Sequence, residues 1–99
     1  MKIKRNNMKI RMTKNVAFDY LKGAKIKMEI NPIAIQTLVQ KAGFRWSFKN
    51  PRIEFHDCYG ITLHLDGGIG YCEHSDAHHW DGYFFNEMSA QEVLNIEII

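Results

Sequence analysis

Residues 44–73 read FRWSFKNPRIEFHDCYGITLHLDGGIGYCE, and apolar and polar side chains alternate through most of that length. Phe44, Trp46 and Phe48 alternate with Arg45, Ser47 and Lys49, and Ile53 and Phe55 with Glu54 and His56. Leu63 and Leu65 alternate with Thr62 and His64, and Ile69 and Tyr71 with Gly70 and Cys72. A period of two is the mark of a strand with one buried side. The interruptions are turn chemistry: Asn50-Pro51, residues 57–60 and Asp66-Gly67-Gly68. The stretch predicts a four-stranded antiparallel meander over 44–73.

Residues opposite one another in a sheet point to the same side, so keeping the apolar residues together fixes the register. Phe48 then opposes Ile53, Phe55 opposes Leu63, and Leu65 opposes Ile69. The polar face follows: Ser47, Glu54, His64 and Gly70 form one row, Arg45, His56, Thr62 and Cys72 the next, with His74 at the edge. Upstream, Asn31-Pro32 is a helix start, with Ile35, Leu38, Val39 and Ala42 as an apolar stripe and Gly43 as the stop. This principal helix, about 32–42, is expected to cover the apolar face. The fold class is α+β, mainly antiparallel sheet with one principal helix, in a single domain over 1–99.

The flanks are shorter signals. Ile10 and Met12 alternate with Lys9 and Arg11 as a strand, and Thr13 caps a short helix over 16–21, closed by Gly23. Residues 25–30 alternate as another strand. His74 to Gly82 reads as a polar loop, and Ser89 with Glu92 as a capping box before Val93 and Leu94. Residues 96–99 either continue that helix or form a last strand. The doubled start at Met1 and Met8 makes 1–7 a candidate frayed leader.

Charge is divided sharply. All 13 Lys and Arg lie in residues 1–52, opposed there only by Asp19 and Glu29. Residues 53–99 hold nine acids, all five histidines and no Lys or Arg, so the net +2 joins a +11 half to a −9 half. Such a split speaks about partners and self-association. No apolar h-region follows the basic N-terminus and no stretch approaches a membrane span, so a cytoplasmic chain away from membranes is expected. In that setting Cys58 and Cys72 are expected as free thiols.

Three functions fit the polar face, which is expected to be open. Catalysis would use Glu54 and His64 as base and acid, with His56, and Arg45 to hold a phosphate charge. That layout resembles small microbial ribonucleases and bacterial mRNA-cleaving toxins, in which a helix backs an antiparallel sheet bearing Glu, Arg and His. The resemblance implies RNA cleavage. A zinc site would draw on Cys72, His74, His64 and His78; otherwise no cofactor is expected. The third and preferred reading is non-catalytic binding of a protein or nucleic acid with a charged surface, as by a stoichiometric inhibitor or an accessory protein of a phage or mobile element. Asp76, Trp80, Asp81 and Tyr83 are its binding residues, with Trp80 and Tyr83 as exposed anchors. Complementary charged halves also allow a homo-oligomer. Alternatively the charges pair internally, for example Lys9 and Arg11 opposite Glu97.

Overall fold

Thr13 and Asn31 start their helices through their side chains. Thr13 Oγ1 accepts the Val16 N–H at 3.4 Å, and Asn31, itself in the left-handed region at φ 46°, accepts the Ala34 N–H at 3.2 Å. The structure, a computed structural model, describes residues 9–47 and 51–99. Within them the order is β1 (Ile10–Met12), α1 (Lys14–Leu21), β2 (Ala24–Lys27), α2 (Pro32–Lys41), β3 (Gly60–Leu63), β4 (Ile69–Cys72), a 3-10 helix (His74–Gly82), β5 (Asn86–Met88), α3 (Ala90–Leu94) and β6 (Ile96–Ile98). Ser89 and Glu92 form the reciprocal capping box ahead of α3. No helix among the described residues is long and apolar enough to cross a membrane.

The class is α+β, but the sheets are mixed and the meander is not formed. The main sheet has the order β4-β3-β2-β5, with β5 parallel to β2 and the other pairs antiparallel. A separate two-stranded sheet pairs β1 with β6 in parallel, Arg11 opposite Glu97, and their side chains meet at 3.5 Å. The strand expected over 25–30 stops at Lys27.

Two of the expected strands are replaced by coil. Residues 44–47 pair with the sheet backbone through a single bridge from Arg45 to Gly68, and 51–59 form no strand. The expected Phe48–Ile53 pairing involves Phe48, Lys49 and Asn50, which lie outside the described residues, as does the leader at 1–7.

The physical reason lies on α2. Gln36, fully buried, accepts the Glu54 and Phe55 N–H groups on Oε1 at 2.9 and 3.2 Å and donates from Nε2 to the Phe55 carbonyl. One turn on, Gln40 accepts the Arg52 N–H and donates to its carbonyl. Two glutamines four apart on one helix face thus supply the pairing a neighbouring strand would have given. The period-two apolar residues still turn inward: Phe44 and Trp46 are buried, and Phe55 packs edge-on to Trp46 with centroids 5.7 Å apart.

The place beside β3 is taken by β2, which brings Ile26 opposite Ile61. The β3–β4 hairpin is also shifted. Leu63, not Leu65, opposes Ile69, and the turn carries Gly67 at φ 96° with its N–H on the His64 carbonyl at 3.0 Å. A slip of two preserves the face of every side chain, so Thr62, Gly70 and Cys72 stay together as expected, while Leu65 is left 72% exposed. Ile26, Ile61 and Leu63 share one core cluster with Ala17 and Leu21 of α1, Ile35 and Val39 of α2, and Val93 of α3.

Candidate functional site

The other face of the main sheet is defined by two rows. Glu87, Lys25, Thr62 and Gly70 lie opposite one another in one, and Lys27, Gly60 and Cys72 in the next. This face was expected to be open. It is instead covered by the 3-10 helix, and β2 and β3 are buried on both sides except at Lys27. Gly60 makes the cover possible: a Cβ there would stand 2.4 Å from Trp80 Cη2 and 2.8 Å from the Ile26 carbonyl. The Trp80 ring lies on that bare backbone, 1% exposed, with Tyr59 edge-on at 5.4 Å.

Lys25 is buried beneath the same ring. Its Nζ donates to the Trp80 carbonyl at 2.6 Å and the Tyr83 carbonyl at 3.4 Å, and lies 5.3 Å from the indole centroid. Trp80 Nε1 donates to Glu87 Oε1 at 3.2 Å, and Lys27 pairs with Glu87 at 3.8 Å. Side-chain hydrogen bonding to Tyr59, and then the Tyr59 and Glu87 charges, raise the Lys27 ammonium above its ordinary value. Here the basic half meets the acidic half inside one molecule, as it does at Arg11 with Glu97 and Arg52 with Glu54. Part of the charge asymmetry is therefore internal pairing.

Both cysteines are free and buried, Cys72 opposite Gly60 on this face and Cys58 in the core cluster. Burial, then the Asp57 charge, pushes the Cys58 thiol up to about 11. A group whose folded-state value is raised holds its proton more tightly than the unfolded chain does. Its stabilisation is present below the unfolded value near 9.0 and is lost as pH rises through about 11. Urea midpoints should be level near pH 8 and fall between pH 9 and 11, and Cys58→Ala should flatten part of that fall. A midpoint unchanged to pH 11 would contradict the assignment.

Beyond Trp80 the chain bends outward. The Phe85 N–H bonds the Tyr83 carbonyl at 2.8 Å, a three-residue turn about Phe84. Tyr83 and Phe85 stay half-buried, whereas Phe84 is 102% exposed. Phe84 and Phe85 flank a hollow of about 490 Å³ with Leu65 and His64 on its other side. On the other side of Phe85 a pit of about 300 Å³ opens over Gly70, walled by His64, Tyr83 and Phe85. Hydrogen bonding to Cys72, then burial and the nearby Cys72 and Asp76, push the Tyr83 phenol above its ordinary value. No Lys or Arg lines either concavity. Glu73, Asp76 and Asp81 are exposed nearby in chain, and no ion pair holds them among the described residues.

No family model, curated protein or solved structure matches the chain.

The expected catalytic residues are dispersed. Glu54 pairs with Arg52 at 2.9 Å in the coil held by Gln36, His56 is exposed in that coil, and Arg45 lines a different hollow with Asp66 and Gly67. His64 stays on the expected face, its Nε2 3.2 Å from Thr62 Oγ1, while Arg45 meets the sheet edge through its backbone, accepting the Ile69 N–H at 3.0 Å. Among the described residues no hydrogen bond joins Glu54, His56, His64 or Arg45 to another of the four. Of the metal candidates, Cys72 Sγ turns to the Glu73 and Asp76 carbonyls, His74 pairs with Asp57 at 2.8 Å, and His78 lies against His79 with the rings tilted at 42°. No group of three possible ligands gathers among the described residues.

Of the expected binding residues, Tyr83 and the exposed Asp76 stand together, and Asp81 is exposed. Trp80 is not an exposed anchor. It is core, because laying a large ring on a glycine-floored sheet removes its apolar surface from water. Sequence reasoning missed Phe84 and Leu65. A signal was available for Phe84: three consecutive aromatics, Tyr83-Phe84-Phe85, cannot all turn to one side of an extended chain.

Proposed function

We propose that this chain is a small non-catalytic binding protein that docks a basic protein surface on the face formed by the 3-10 helix, residues 83–85 and the hairpin turn at 64–68. The observation that carries this reading is the fully exposed Phe84 ring, with Leu65 72% exposed across the same hollow. Burying an aromatic ring of that size is worth about 2 kcal/mol, and aromatic anchors dominate interface energetics. Asp76 and Asp81 are exposed acids beside Tyr83, whereas Asp66 shares its own hollow with Arg45 at the hairpin turn. The exposed acids around Tyr83 favour a basic protein over nucleic acid, with Arg45 at the far side of the hairpin turn. A protein acting by occupying a partner's basic surface works as a stoichiometric inhibitor or an accessory factor.

The test is capture from lysate on immobilised protein at 50 and 300 mM salt, identification of the retained protein, and titration of that purified partner. Retention should fall with salt. Phe84→Asp should weaken the purified complex at least about 30-fold, the scale of an interface hot spot, with no change in the urea midpoint. An affinity within twofold of the parent would remove this face from the function. A second copy of the chain is the alternative occupant, and sedimentation of the protein alone over a concentration series separates it.

A further inference from the structure

We infer that the pit over Gly70 receives an arginine side chain of the docked protein. The inference rests on reading this face as the docking surface and names the chemistry of one contact. The pit exists because row-mates differ in size: Gly70 offers no side chain, while Thr62 opposite it and Tyr83 beyond it do. A Cβ on Gly70 would meet Thr62 Oγ1 at 2.6 Å and His64 Nε2 at 3.0 Å, so the floor presents a hydroxyl and an imidazole nitrogen. Tyr71 lines it too, but its ring sits with Trp46 and Phe55 on the opposite face, leaving His64, Tyr83 and Phe85 as the walls. His64 and Phe85 stand edge to face with centroids 5.1 Å apart and hold that side of the pit open.

Thr62 Oγ1 and His64 Nε2 are bonded to each other, which leaves the hydroxyl oxygen with a free lone pair at the floor. Aromatic walls, that oxygen and no basic residue in the lining suit a cation, and the Lys25 ammonium of the same row is turned to the Trp80 and Tyr83 carbonyls. Asp76, which acts on the Tyr83 phenol, adds negative potential at the rim. Among cations, guanidinium fits better than ammonium. It is planar, stacks on a ring face, is weakly hydrated, and has donors to spare for Thr62 Oγ1. The acidic character of this half of the chain selects the same partner chemistry as the docking surface does.

The experiment titrates the isotope-labelled full chain with acetyl-arginine methylamide, following amide shifts. The controls are the citrulline analogue, which has the same shape without charge, and the lysine analogue. Saturable shifts are expected at Gly70, Thr62 and Phe85, with little response to citrulline and a weaker one to lysine. Phe85→Leu should weaken the arginine analogue at least about threefold while leaving the amide spectrum dispersed. Equal responses to arginine and citrulline, equal responses to arginine and lysine, or no saturable shift at Gly70 would each overturn the assignment. Phe84 lies outside the pit, so a negative result here together with an effective Phe84→Asp variant rejects the arginine contact and leaves the docking face standing.

Discussion

Gly60→Ala is expected to destabilise the fold by about 3–5 kcal/mol, the range for losing a buried tryptophan from its seat. Its Cβ would meet Trp80 ring carbons at 2.4 and 2.5 Å and the Ile26 backbone carbonyl at 2.8 Å, and the backbone atom cannot rotate away. Either the strands separate or Trp80 leaves. If Trp80 leaves, Lys25 loses the cover above its ammonium, and the carbonyls of Trp80 and Tyr83 move from their donor. A domain of this size holds about 5–15 kcal/mol in total, so one methyl group removes a large share. Urea unfolding followed by tryptophan fluorescence measures the loss. In a Trp80→Leu background the same change should cost at least about 1 kcal/mol less, because the ring that clashes is gone. A Gly60→Ala midpoint equal to the parent's would show that Trp80 does not sit on Gly60.

Gln36→Leu is the second large effect. It keeps the volume and removes the acceptor for the Glu54 and Phe55 N–H groups and the donor to the Phe55 carbonyl. Each buried backbone group left unpaired costs about 1–3 kcal/mol, and partial access of water to this coil brings the expected sum to about 2–4 kcal/mol. Hydrogen exchange at the Glu54 and Phe55 amides should accelerate well beyond that of the β2 and β3 amides, and the aromatic packing of Phe55 on Trp46 and Tyr71 should loosen. Uniform acceleration across all strands would mean a global loss of stability with no special hold on residues 51–57.

How far the sequence carried can be seen at particular residues. Thr13, Asn31-Pro32 and Ser89 with Glu92 marked three helix starts, because capping is satisfied within four residues. Arg11 could be set opposite Glu97, and Trp46 could be assigned to the core. The face of each side chain in β3 and β4 was also legible, since alternation survives a slip of two. The candidate site was less legible. Tyr83 and the acids of its loop were named, but Phe84 and Leu65, which carry the proposed anchor and hollow, were not.

By itself, then, the sequence determined three α-helix starts, the α+β class, the inward turn of Phe44, Trp46 and Leu63 and the separation of charge, all properties of composition or of neighbours in the chain, while Leu65 and Tyr71, expected inward, are exposed. Only the tertiary structure decided which segment pairs with β3. A backbone N–H is satisfied equally by a strand or by a glutamine on a helix, and alternation in residues 44–56 does not distinguish them. The same holds for the polar face. Gly60 and Trp80 are twenty residues apart, and only their contact turned an expected open platform into a covered one and moved the exposed aromatic surface to Phe84.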